Sequence, residues 1–322
     1  MHMLQRSLRA LHTLVIMTIM TAAATPALIA IGETMLLVTP TDATPLAEAE
    51  DVRLSIGGAE SNIAAHVAIL GQSAAWVSRL GDEVLGHRVH RAVAAHGVDT
   101  RWVGFDPTAP TGVYFKDPGH GVRYYRAGSA ASRMTPETIA EVPLEDARIV
   151  HVSGITPALS ASCAAMIDTV IDRVAASPAL LSFDVNHRAA LWSASEAAPV
   201  LLALANRADI VFVGLDEAET LWGCRTAADV RALVSAPSHL VVKDGAVGAT
   251  EFSPDGVMFV PAIPTEVVEA VGAGDAFAAG YLSGVLNGSS PHESLRRGHE
   301  RAHLVLQSTH DVVGVGETDA AG

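Results

Sequence analysis

The feature that most constrains this chain is an alternation running through its second half. Short apolar runs at 149–152, 180–183, 210–213 and 240–242 are separated by helical stretches near 162–175, 196–206 and 215–234. Such alternation predicts a mostly parallel sheet with helices on both faces. In sheets of that kind ligands gather at the carboxyl ends of the strands.

The first half begins the same way. A strand over 27–32 is followed by a helix from Ser61 to Leu70, with Ile63, Val67 and Leu70 on one face and a stop at Gly71. A strand over 74–78 and a helix over 87–96 come next. Two segments break the pattern. Residues 33–57 and 110–127 show strands and turns without an intervening helix, and the strands over 111–116 and 122–126 flank the turn Pro118-Gly119-His120-Gly121. They predict a small β-sheet projecting from the main domain.

Composition narrows the function. The 322 residues are half hydrophobic, only 17% charged, and carry a net charge of −14. Nucleic-acid or anionic-membrane binding would need clustered Lys and Arg, so that balance argues against both. Two cysteines, Cys163 and Cys224, provide neither a disulfide framework nor a four-ligand zinc pattern and read as small apolar residues. His299 and His303, spaced i, i+4, lack an evident third metal ligand and read as an exposed helix face.

The N-terminus has a secretory look, with Arg6 and Arg9 ahead of the apolar run 14–20 and the small residues 22–24. Because a strand begins directly afterwards, residues 1–25 are expected to be an extension outside the fold. The domain is expected over 26–315 and a flexible tail over 316–322.

The strongest chemical signal is the run Glu269-Ala270-Val271-Gly272-Ala273-Gly274-Asp275-Ala276-Phe277, followed by a helix with Phe277, Tyr281 and Val285 on one face. Two glycines at a helix start admit a ligand close to the backbone, and the free N–H groups favour an anion there. Asp275, in the first turn, is placed to take a proton from a hydroxyl attacking a phosphoryl group. A lone Gly-x-Gly-Asp is also an ordinary helix start with an acidic first turn. Its company decides the matter.

That run resembles the second signature, D-T-T-G-A-G-D, of the PfkB, or ribokinase-like, carbohydrate kinase family. The first signature is matched by Gly57-Gly58-Ala59-Glu60-Ser61-Asn62-Ile63-Ala64 leading to Arg79-Leu80-Gly81-Asp82-Glu83-Val84-Leu85-Gly86. The resemblance spans about 27–315 and implies a ribokinase-like α/β fold with a β lid from 33–57 and 110–127. It implies an anion hole at Gly272, Ala273 and Gly274 for the γ-phosphate of ATP, with Asp275 as base. Glu269, Ala270 and Val271 replace the leading Asp and two Thr, which leaves a monovalent-cation site in question.

Further runs resemble the 2-keto-3-deoxygluconate kinase branch: 124–132, 153–159, and Asp184-Val185-Asn186-His187-Arg188 with Leu191-Trp192. An acidic sugar calls for a cation and hydroxyl donors, which Arg126, Arg188 and Tyr124 can supply. By resemblance Gly58, Asn62, Tyr114, Tyr124, Arg126 and Arg188 line the substrate pocket, with Asp275 and Asp311 at the sugar. For ATP the resemblance implies Lys243, Gly245, Ala246 and Gly248 in a K-x-G-x-x-G turn, with Gly214, Gly272, Gly274 and His299. Glu217 matches a carboxylate that helps hold hydrated Mg²⁺. Gly214 stands where the family has a polar residue, and His299 where Asn is more usual.

The expected function is ATP-dependent phosphorylation of 2-keto-3-deoxygluconate at its 6-hydroxyl, in the cytoplasm, with the β lid as a surface for homo-oligomers. A ribokinase, fructokinase or adenosine kinase on the same fold is the nearest alternative. A non-catalytic sugar- or nucleotide-binding protein and a secreted binding protein are the others.

Overall fold

The computed structural model describes residues 25–314. The N-terminal segment up to residue 24 and the tail from residue 315 lie outside the described residues, and so do the expectations for them.

The strands in chain order are β1 (Leu28–Ile31), β2 (Met35–Pro40), β3 (Val52–Gly57), β4 (Ala74–Gly81), β5 (Val103–Asp106), β6 (Val113–Asp117), β7 (Gly121–Tyr125), β8 (Ile149–Ser153), β9 (Leu180–Asp184), β10 (Ile210–Gly214), β11 (His239–Asp244), β12 (Gly248–Ser253) and β13 (Gly256–Pro261). The helices are α1 (Ala59–Ile69), α2 (Val84–Ala95), α3 (Ile155–Leu159), α4 (Ala161–Ala175), α5 (Ala194–Ala205), α6 (Leu215–Trp222), α7 (Ala227–Leu233), α8 (Ala273–Leu286) and α9 (Pro291–Leu306).

Nine strands form one sheet in the order β13-β12-β11-β10-β9-β8-β1-β4-β5. From β11 to β5 neighbouring strands run parallel, and β12 and β13 add an antiparallel edge. Successive side chains of a strand point to opposite faces, and the core divides accordingly. Ile29, Ile31, Val150, Val152, Val211 and Val213 pack with α4 and α5 on one side. Leu28, Ala30, Ile149, Ile210 and Phe212 pack with α1, α8 and α9 on the other. This is why those strands read as unbroken apolar runs. Phe277 and Tyr281 are buried on the inner face of α8, with Tyr281 edge-on to Phe212 at 5.3 Å.

The two segments without helices pair as expected. They form a four-stranded sheet, β3-β2-β6-β7, whose β6–β7 hairpin turns at 118–120. Two differences emerge. The helix expected over 215–234 is two helices, because Gly223 takes a left-handed conformation (φ 72°) that ends α6, and Thr226 and Asp229 form a capping box that starts α7. The large sheet is mostly parallel, as expected, but its antiparallel edge of β12 and β13 was not marked by any apolar run; β13 is largely exposed. Both cysteines are free and buried. Among the described residues no helix is long and apolar enough to cross a membrane.

Register positions the site. Ser153 of β8 lies beside Asp184 of β9, and Gly214 of β10 lies beside Lys243 of β11. All four sit at the carboxyl ends of their strands. The small sheet brings Tyr114 and Lys116 on β6 and Tyr124 on β7 to the same cavity.

Candidate active site

A cavity of about 840 Å³ opens where the two sheets meet the start of α8. Every residue expected in the site lines it: Gly58, Asn62, Tyr114, Tyr124, Arg126, Arg188, Gly214, Glu217, Lys243, Gly245, Ala246, Gly248, Gly272, Ala273, Gly274, Asp275, His299 and Asp311.

The floor is the start of α8. Gly272 is its N-cap at φ 84°, a conformation that strains any residue with a Cβ. An ideal Cβ there would also stand 3.0 Å from Cα of Asp311. Among the described residues the amides of Gly274 and Asp275 have no protein acceptor, so they are free to meet an anion. A Cβ built on Gly274 would lie 3.7 Å from Nζ of Lys243, so that ammonium faces the same spot. Lys243 also donates to Asp184 Oδ2 at 3.0 Å. Burial disfavours its charge, but Asp184 and Glu217 outweigh burial and hold its pKa up.

Asp275 projects from the first turn of α8 and accepts a hydrogen bond from Asn62 Nδ2 at 2.9 Å. Its burial pushes its pKa up to about 7, against the pull of Asn62 and of the Arg188 charge. Its surface faces the cavity, so it is a weakly acidic carboxyl at a ligand-accessible position.

At one end stand Tyr114, Tyr124 and Arg126. The two rings stack at 5.7 Å, and the Arg126 guanidinium lies over Tyr124 at 5.7 Å. Gly57 leaves room for the Tyr114 hydroxyl, which a Cβ at that position would overlap. Two charged residues here escaped the sequence reading. Glu33 is buried, pairs with Arg126, and accepts from Ser129 Oγ at 2.6 Å. Lys116 pairs with Glu269 at 3.0 Å and approaches Asp311 Oδ1 at 3.8 Å. Burial raises the Asp311 pKa, and the Lys116 charge pulls it back. Glu33 sits in the β1–β2 connection and Lys116 near the end of β6, with no local motif to mark either.

Beyond Lys243, Glu217 accepts from the amides of His187 and Gly214, each at 2.9 Å. Burial and then the nearby Asp184 raise its pKa. Oδ1 of Asp184 is buried without a hydrogen-bond partner. Two carboxylates with an orphaned oxygen, beside an anion-binding helix start, suit a hydrated divalent cation that takes its remaining ligands from water and phosphate. Among the described residues no group of three or more His, Cys, Asp or Glu could hold a metal unaided. His299 and His303 each bond to protein instead, and the exposed helix face expected for the pair does not hold for His299, which is buried against Phe277.

The model of the pfkB family carbohydrate kinases matches residues 26–314. The chain is 32% identical over 295 residues to 2-dehydro-3-deoxygluconokinase of Bacillus subtilis, covering 88% of this chain and 90% of that protein. It is 31% identical over 289 residues to 2-dehydro-3-deoxygalactonokinase of Haloferax volcanii (87% and 91% covered), and 31% identical over 278 residues to fructokinase-1 of Zea mays (84% and 86%). A crystal structure of a PfkB protein from Polaromonas sp. JS666 superposes with a TM-score of 0.83 at 34% identity, covering 88% of this chain and 97% of that one.

A ribokinase-like α/β fold with an anion-binding helix start facing a carboxyl group defines a class of sugar-phosphorylating enzymes. This chain belongs to the pfkB family of carbohydrate kinases.

Proposed function

We propose that the chain transfers the γ-phosphoryl group of ATP to the 6-hydroxyl of 2-keto-3-deoxygluconate. Asp275 takes the proton of that hydroxyl, its oxygen bonds to the γ-phosphorus, the bond to the bridging oxygen breaks, and ADP leaves. The Gly274 and Asp275 amides and Lys243 stabilise charge on the transferring phosphoryl oxygens. Gly245, Ala246 and Gly248, in the β11–β12 turn, adjoin the nucleotide. Glu217, with Asp184, would hold Mg²⁺, which neutralises phosphate charge when bound.

The observation carrying this reading is the placement of Asp275, with its raised pKa, in one cavity with an open helix start, Arg188, and a pocket end holding Tyr114, Tyr124 and Arg126. A carboxylated sugar suits that end, and two of the relatives named above are acidic-sugar kinases. The small sheet serves as a lid. Its exposed Val52, Leu54, Val122 and Tyr125 are a surface for pairing with a second copy. Dependence on ATP supports a cytoplasmic working place.

A second reading, phosphorylation of a neutral sugar such as fructose, has one observation in its favour. Glu33 offsets the Arg126 charge, leaving the sugar end less cationic. An ADP-release assay across 2-keto-3-deoxygluconate, its C4 epimer, fructose, ribose and adenosine separates the two. The expected result is kcat/KM for an acidic sugar at least about 100-fold above any neutral one, the scale of a lost charged hydrogen bond in a polar pocket. Equal or better use of fructose would overturn the choice of substrate.

A further inference from the structure

The cavity end away from Tyr114 and Arg126 is bordered by the loop after β13 and by α9, with Ala262, Ile263, Ala302 and Leu306 as apolar walls. If ATP is the donor, as proposed above, its triphosphate meets the start of α8 and its base falls at this end. Thr265 and His303 also line it.

Their hydrogen bonds fix a proton. Oγ1 of Thr265 lies 2.8 Å from the carbonyl oxygen of Ile263 and 2.7 Å from Nδ1 of His303. The carbonyl can only accept, so the single hydroxyl proton of Thr265 goes to Ile263. The hydroxyl oxygen must then accept from His303, which places a proton on Nδ1. Neutral His303 therefore presents Nε2 as a bare acceptor, and among the described residues Nε2 has no protein partner. One turn earlier the same logic holds. His299 Nε2 donates to the Val260 carbonyl at 3.0 Å, leaving Nδ1 as an acceptor on a ring held edge-on to Phe277 at 5.0 Å. Burial holds the His299 pKa down, which keeps the imidazole neutral.

We infer that His303, with its tautomer set by Thr265, is a base-specificity residue that accepts a hydrogen bond from an exocyclic amine and so selects a 6-amino purine over a 6-oxo purine. A 6-oxo group would set a carbonyl oxygen against the Nε2 lone pair, with neither side able to donate. Base choice would then be set by a threonine that need not touch the nucleotide.

The test compares ATP with ITP on the full chain at pH 8, by kcat/KM with the best sugar and by calorimetric Kd with Mg²⁺ present. Wild type should favour ATP by on the order of 10- to 100-fold in both. Thr265→Val frees the imidazole to move its proton to Nε2, so the ATP:ITP ratio should fall at least about fivefold, with a gain for ITP itself. His303→Phe should flatten the ratio by loss for ATP alone. Each ratio is taken within one preparation, so partial unfolding of a variant does not move it. A wild-type ratio near one, or a wild-type ratio retained in both variants, would overturn the inference and leave the kinase reading standing. Nucleotide binding with the expected ratios but no phosphorylation of any sugar would sink the kinase reading and leave the inference intact. Failure to bind either nucleotide would overturn both.

Discussion

Asn62 Nδ2 donates to Asp275 Oδ2 across 2.9 Å, joining α1 to α8 over 213 positions of sequence. This bond favours the charged carboxylate, against the burial that lifts the Asp275 pKa to about 7. As a base, Asp275 works only when ionised, so kcat/KM should rise with pH through about 7. Removing the amide in Asn62→Ala should move that acid limb upward and lower activity at pH 6.5 more than at pH 9. A pH–rate profile reads the shift. An unmoved limb would mean that another group sets it.

The same burial makes Asp275 costly to the fold. Its folded pKa lies above the unfolded value of 3.8, so its contribution to stability is full below 3.8 and is lost as pH rises through about 7. Asp275→Asn carries no charge to desolvate. It should therefore stabilise the unliganded protein by about 1–2 kcal/mol at pH 8 and have little effect near pH 4. Urea denaturation at the two pH values checks the sign.

Lys116 ties the small sheet to the segment ahead of the anion hole through Glu269. The side chains are 12% and 30% exposed, so the pair is partly shielded from solvent. Lys116→Glu should reduce kcat/KM at least about 10-fold, through like charges facing Glu269 and Asp311. Adding Glu269→Lys should restore part of the loss. A double variant no better than the worse single one would show that the pair does not couple the two elements.

Glu33 and Arg126 form a buried pair, with side chains 1% and 9% exposed. Removing the carboxylate in Glu33→Ala leaves Arg126 without its counter-charge, which should cost about 3 kcal/mol of stability. It also frees the guanidinium, so KM for an acidic sugar should rise less than in Arg126→Ala. Thermal melts and sugar saturation curves on the two variants test this ordering.

The architecture was legible where residues are local and repetitive. Apolar runs gave β8 to β11 because both faces of those strands are covered, and glycine spacing marked the start of α8. β13 was not legible, since an exposed edge strand has no core pattern to display. The break inside 215–234 turned on one glycine, Gly223, whose left-handed φ becomes visible only in the backbone. The residues picked out in the sequence all line one cavity, but Arg126 was read there as a free cation. Its partner Glu33 lies 93 positions earlier, and Lys116 meets Glu269 153 positions later. Long-range pairing of isolated charges leaves no local pattern, whereas the glycine-rich turn is written in consecutive residues.

Phosphoryl transfer to a sugar hydroxyl turns on Asp275 acting as the base. The most direct test of that role is the turnover of Asp275→Asn with saturating ATP, Mg²⁺ and 2-keto-3-deoxygluconate, alongside sugar affinity measured by calorimetry. Asparagine preserves the size of the side chain but cannot take the proton. The kcat should fall by roughly two to four orders of magnitude, with Kd for the sugar changed by less than about threefold. A kcat within a few-fold of wild type would contradict that role.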